Sequence, residues 1–178
     1  MAVIIEKSRV RIENAFIAKE LSLKSGKIVS STVENRLSGR VFSPLSESSE
    51  FKIRFLSLFG GEFVSGGELK IEKASNEKTE TGERLLLEFK PFKLKGGNIK
   101  ITLIYELGLL DRHINKRLLF RCAENDCKAA IDYIDLEPYF VPDLSECSSL
   151  PRQDNSIISG TALSLGQPVF CGDLCFGC

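Results

Sequence analysis

The chain has no tryptophan, a single histidine, a single methionine and no net charge. Each shortage weighs against a class of protein. Sugar-binding modules present exposed aromatic rings for stacking, so a chain with no tryptophan and only three tyrosines is poorly equipped as a free-standing carbohydrate-binding module, which stays as the alternative reading. A Ser–His or Cys–His nucleophile pair would have to use His113, the lone imidazole. His113 lies in Asp111-Arg112-His113-Ile114, which reads as an exposed turn entering a strand. The 24 Lys and Arg are interspersed with 24 Asp and Glu and form no basic stripe, which argues against nucleic acid and acidic lipid surfaces as partners.

Long apolar runs are missing too. Met1-Ala2-Val3-Ile4-Ile5 turns to charge at Glu6-Lys7, too short for a secretory core and far too short to span a bilayer. With no leader in sight and no Asn-x-Ser/Thr acceptor, the expected location is cytoplasmic and the six cysteines are read as reduced thiols. Phosphate loops, dinucleotide fingerprints and His-Glu-x-x-His pairs are also lacking. No cofactor is expected.

What the chain does have is period-two alternation. Phe51-Lys52-Ile53-Arg54-Phe55 alternates strictly, and Ile99, Ile101, Leu103 and Tyr105 share one face of a second run, the pattern of half-buried strands. Shorter alternations occur at Glu68 to Glu72, at Arg84 to Phe89, and at Ile114 to Phe120, where Ile114, Leu118 and Phe120 share a face. Ser25-Gly26, Ser38-Gly39, Gly60-Gly61, Gly66-Gly67 and Gly96-Gly97 punctuate these runs at turn spacing. Leu21 to Val29, with Ser25-Gly26 at its centre, reads as a hairpin. The apolar parity shifts between Phe89 and Phe92 across Pro91, which predicts a bulge or an edge strand there.

Residues 125–134 fit two descriptions. Asn125 could cap a helix with Cys127, Ala130, Ile131 and Ile134 on one face, or a strand could begin at Ala130 with its alternation slipping at Tyr133-Ile134. The sheet-rich context favours the strand. The fold class expected is all-β, an antiparallel β-sandwich, with residues 1–137 as its core. Residues 138–178 read as an irregular Pro- and Ser-rich segment with a final strand, leading toward a downstream domain. The apolar, Gly- and Cys-rich ending from Gly166 to Cys178 reads as though the sandwich were incomplete at that end.

Candidate chemistry is sparse. Cys171-x3-Cys175-x2-Cys178, with Cys122-x4-Cys127, approaches zinc-ligand spacing, but no histidine is near and Leu174 and Phe176 interrupt the cluster as packing residues would. A Cys-ligated metal-binding protein is therefore a minor alternative, and no metal site is expected. Asp132, Asp135 and Glu137 are carboxylates of the kind glycoside hydrolysis requires, though on a strand only Asp135 and Glu137 would share a side. They are read as a solvated face. No catalytic residue is assigned.

At Gly166-Gln167-Pro168-Val169-Phe170-x-x-Asp173-Leu174-x-Phe176-Gly177 the chain resembles the large α-galactosidase (melibiase-like) glycoside hydrolases. In these an N-terminal β-supersandwich, similar to galactose mutarotase, precedes a catalytic barrel. Asn14-Ala15-Phe16-Ile17 resembles their opening strand pair, and Tyr105-Glu106 followed by Ile114-Asn115-Lys116-Arg117 resembles a later one. The resemblance implies a non-catalytic sandwich domain whose partners are a downstream catalytic barrel and, through the parent enzyme, carbohydrate. It implies that Gln167, Asp173 and Phe176 lie near the seam with that barrel and can serve as substrate-binding residues. Cys175 stands where the family pattern has a second aromatic.

Overall fold

Alternation of apolar and charged residues sets the strands, and the pairing of their apolar faces builds two main sheets around one core. The computed structural model describes residues 1–44, 49–56, 61–94, 97–122 and 130–136 in full, and the backbone of 147–149, 169–171 and 174–176. Among the described residues there is no helix, and every strand pairing is antiparallel.

The first sheet is a meander of β1 (Ala2–Ile5), β2 (Arg9–Glu13), β3 (Ile17–Lys24), β4 (Lys27–Asn35) and β5 (Arg40–Phe42). A third, small sheet places β6 (Phe51–Leu56) between β7 (Glu62–Ser65) and β13 (Ala130–Leu136). The second sheet joins β8 (Ile71–Lys78), β9 (Gly82–Phe89), β10 (Phe92–Leu94), β11 (Gly97–Gly108) and β12 (Asn115–Cys122). A separate ladder of backbone joins β14 (Cys147–Ser149), β15 (Val169–Cys171) and β16 (Leu174–Phe176).

The fold is an antiparallel β-sandwich. Val10, Ile12 and Leu21 from the first sheet meet Leu85, Leu87, Phe89, Ile101, Leu103 and Leu107 from the second, with Phe51, Ile53 and Phe55 of the third closing the core. Phe51 meets Phe89 edge to face at 5.5 Å between centroids, a favoured aromatic geometry. The face-sharing read from the sequence holds: Ile99, Ile101, Leu103 and Tyr105 are all buried, while Ile114, Leu118 and Phe120 pack half-buried against them.

Local chemistry explains the joints. Ser25 and Gly26 have φ of 53° and 77°, the pair of left-handed residues that a type I′ hairpin needs to match the right-handed strand twist. The Gly26 carbonyl accepts a 2.7 Å bond from the Ile71 amide, tying this tip to β8. At Pro91 the parity shift is a bulge: β9 and β10 lie along the same edge of β11, with the register advancing by one residue between Glu88↔Thr102 and Phe92↔Ile99. Proline lacks the donor that the ladder would use at that point.

Residues 130–136 form the expected strand, and the slip is a second bulge between Ile131 and Tyr133. The expected strand at Glu68 to Glu72 starts later, at Ile71. Residues 65–68 form a turn in which the Glu68 amide donates to the Ser65 carbonyl and the Ser65 amide to the Glu68 carboxylate. No helix among the described residues is long and apolar enough to cross a membrane.

Candidate functional site

Alternation places Lys19 on the inward face of β3, between Ile17 and Leu21, where a charged group needs a partner. Its partner is Glu50, at the entrance to β6. The Lys19 ammonium lies 3.2 Å from the Glu50 carboxylate, the Lys116 ammonium of β12 lies 2.8 Å from it, and the Tyr105 hydroxyl of β11 donates a short hydrogen bond to it. Glu50 is 1% exposed and Lys19 3%. Both ammonium groups also lie 5.6 Å from the centre of the Tyr105 ring, within cation–π range.

Burial alone would push the Glu50 carboxyl up, but the charges of Lys19 and Lys116, with hydrogen bonds from Lys116 and Tyr105, overcome it. The carboxyl is held well below the usual carboxylate range. A group so strongly held in its ionised form cannot serve as a general acid near neutral pH. What the arrangement does is mechanical: Lys19, Glu50 and Lys116 join one strand from each of the three sheets.

Asn14 makes a second buried junction. Its side-chain oxygen accepts from the Phe16 and Ile17 amides at 2.8 and 3.0 Å, the local turn geometry to which asparagine is suited. Its amide nitrogen donates to the Gly108 and Asp111 carbonyls at 2.9 and 2.7 Å. One side chain thus closes the β2–β3 turn and pins the β11–β12 turn to it. Of the residues that carry the family resemblance, Asn14, Phe16 and Ile17 lie at one pin and Tyr105 and Lys116 at the other, while the stretch from Gly166 to Gly177 is described only as the backbone of 169–171 and 174–176. Beside Lys116, Arg117 reaches Glu106 at 3.2 Å.

The outer face of the small third sheet is different in kind. Arg54 of β6 stands opposite Phe63 of β7 on one side and Tyr133 of β13 on the other, and both rings are open to solvent. The Arg54 guanidinium lies 3.4 Å from the Asp132 carboxylate, at the bulge.

Of the residues singled out from the sequence, Gln167, Asp173 and Glu137 lie outside the described residues, as do Cys127 and Cys178. Phe176 is in β16, where its backbone pairs with Val169. His113 is exposed in the turn before β12, and Cys122 is exposed at the end of that strand. Asp132 and Asp135 fall on β13. Among the described residues no three His, Cys, Asp or Glu side chains are grouped to hold a metal ion. Glu50 and Lys19 were not foreseen; the available signal was Lys19 at an inward position of an alternating run.

Comparison with known proteins adds no identity: no family model, curated protein or solved structure matches this chain. The class that fold and site define is an all-β sandwich pinned by buried polar groups.

Proposed function

We propose that this chain is a non-catalytic β-sandwich domain of a carbohydrate-processing glycoside hydrolase of the α-galactosidase-like kind, supporting a catalytic barrel supplied elsewhere in the parent protein. The observation that carries the reading is the use made of the motif residues. Asn14, Tyr105, Lys116 and Arg117, which belong to the two shorter stretches of the resemblance, are spent on joining strands and turns. That is the work of a support domain. The ionised, lysine-bound state of Glu50 also supports a non-catalytic role, because glycoside hydrolysis needs one carboxyl that carries a proton.

Incubating the purified chain with an aryl α-galactoside is the direct test. No hydrolysis above buffer is expected. Turnover that persists through purification would overturn the reading. A second test reads the coding sequence beyond Cys178: an in-frame barrel domain is expected, and a different domain there would remove the support role.

A further inference from the structure

The outer strand of a sheet leaves one row of backbone donors and acceptors without partners, and proteins blunt such edges by shortening the strand, bulging it or setting proline in it. Most outer strands here follow that rule. β1 and β7 have four residues, β5 and β10 three, and β8 and β13 each carry a register shift. β12 does not. It runs opposite β11 from Asn115↔Glu106 to Cys122↔Ile99 without a shift, contains no proline, and has no described strand on its other side. Among the described residues, the backbone from Arg117 to Arg121 has no partner beyond β11.

The charges along this edge are of one sign. β11 and β12 together carry Lys100, Lys116, Arg117 and Arg121 against the single carboxylate of Glu106. Lys116 turns inward to Glu50. Arg117 shares Glu106 with Arg84, at 3.2 and 3.0 Å, and its side chain is 62% exposed. Arg121 stands directly opposite Lys100, a like-charge cross-strand pair of the kind that destabilises a sheet. Lys100 has carboxylates on its far side, Glu88 at 2.8 Å and Glu72 at 3.3 Å. Arg121 is exposed, with only a longer-range attraction to Glu88 among the described residues. Between the two arginines Leu119 points outward, 40% exposed, while Leu118 and Phe120 pack half-buried on the inner face. The edge thus presents cation, apolar group and cation on one face, and two apolar groups on the other.

We propose that the edge of β12 from Arg117 to Arg121 takes up an extended acidic segment of a partner protein as an additional strand. In this mode main-chain hydrogen bonds hold the segment and its alternate side chains give the choice of partner. The complement of this edge is a carboxylate opposite Arg117, an apolar residue opposite Leu119 and a carboxylate opposite Arg121, with apolar residues between them opposite Leu118 and Phe120. An incoming carboxylate beside Arg121 supplies the acid that its row lacks on that side. A second copy of this chain is the wrong occupant: two β12 strands paired antiparallel about Leu119 would set Arg117 of one against Arg121 of the other, cation against cation. The inference goes beyond the support role and does not depend on it.

The test is an amide-resolved NMR titration of the full chain with three terminally blocked peptides. The first has the central stretch Asp-Val-Ile-Val-Asp, which reads the same in both directions and so fits a parallel or an antiparallel addition. The second has lysine for both aspartates, and the third has proline for the isoleucine, which keeps the charge and removes the ability to form a strand. Saturable shifts at residues 115–122 and slower amide exchange in β12 are expected with the first peptide alone, and its affinity should fall as salt is raised. Arg121→Glu is expected to weaken binding about tenfold, because an attractive cross-strand pair becomes a repulsive one. Its fold is not at risk, since the new carboxylate stands opposite Lys100. Arg121→Lys should keep most of the binding. The proposal is overturned by no saturable shift at residues 115–122, by equal binding of the lysine or the proline peptide, or by affinity unchanged in Arg121→Glu. Concentration-dependent shifts in β12 without any peptide would assign the edge to a second copy and overturn it as well.

Discussion

Tyr105 and Lys116 stand directly opposite each other across β11 and β12, and both donate to the same carboxylate, Glu50. The tyrosine hydroxyl and the ammonium together take a charge that burial would otherwise expel. Lys19 approaches the same carboxylate from the first sheet, so the site holds the sandwich together at the point where its three sheets meet.

Removing the carboxylate leaves two buried ammonium groups facing an amide. Glu50→Gln is expected to cost about 3–5 kcal/mol, the range for breaking one partner of a buried ion pair. Urea denaturation followed by circular dichroism reads it as a lower midpoint at unchanged slope. A loss below about 1 kcal/mol, typical of an exposed pair, would mean that the cluster is solvated.

The same carboxyl sets an acid limit. Its folded value lies below its unfolded one, so its contribution is fully present above the ordinary glutamate range, about pH 4.3, and is lost as pH falls from there toward the folded value. Unfolding free energy measured from pH 7 downward should therefore fall below about pH 4.5, and Glu50→Gln should fall less steeply over that window. Parallel curves for the two proteins would rule out Glu50 as the titrating group.

Asn14→Ala should strand the amides of Phe16 and Ile17 and the carbonyl of Asp111 at once, and leave the Gly108 carbonyl with the 3.3 Å bond from the Asp111 amide. A loss of about 1–3 kcal/mol is expected, the cost of leaving buried polar groups unpaired. Faster hydrogen exchange at Phe16 and Ile17 would locate it, and unchanged exchange there would count against the pin.

Gly82 faces the backbone of β11. A Cβ at this position would lie 2.0 Å from the Leu107 carbonyl oxygen, and a backbone atom cannot swing aside as a side-chain tip can. Gly82→Ala is expected to destabilise by about 1–3 kcal/mol, as overpacking does, with the melting temperature as the readout.

Ser25 occupies a left-handed conformation with φ of 53°, where asparagine is favoured at the first position of a type I′ turn. Ser25→Asn should raise stability by about 0.5 kcal/mol. A loss of stability would show that the serine makes a compensating contact.

Two of the register shifts, at Pro91 and between Ile131 and Tyr133, mark how far local pattern reaches; those between Ser22 and Leu23 and between Ile71 and Lys73 were not read from the sequence. The parity shift at Pro91 and the slip at Tyr133-Ile134 were visible as breaks in alternation, because inserting one residue into a strand of period two moves every later side chain to the other face. The second half of β8, Ala74 to Lys78, was not visible. It is polar and half-exposed, and it is a strand because β9 offers it a ladder from Glu83 to Leu87.

The sequence by itself determined which faces of the strands are apolar, where the chain turns, and hence that the protein is an antiparallel sandwich. These are consequences of nearest neighbours, of glycine at turns and of period two. Only the tertiary structure decided what the inward polar residues are for. Asn14 finds carbonyl partners 94 and 97 residues away, and Lys116 finds its carboxylate 66 residues away. The row of Phe63, Arg54 and Tyr133 likewise exists only because β13, distant in sequence, pairs with β6 beside its neighbour β7. A hydrogen bond or an ion pair is specified by which two surfaces meet, and alternation states only that a surface exists.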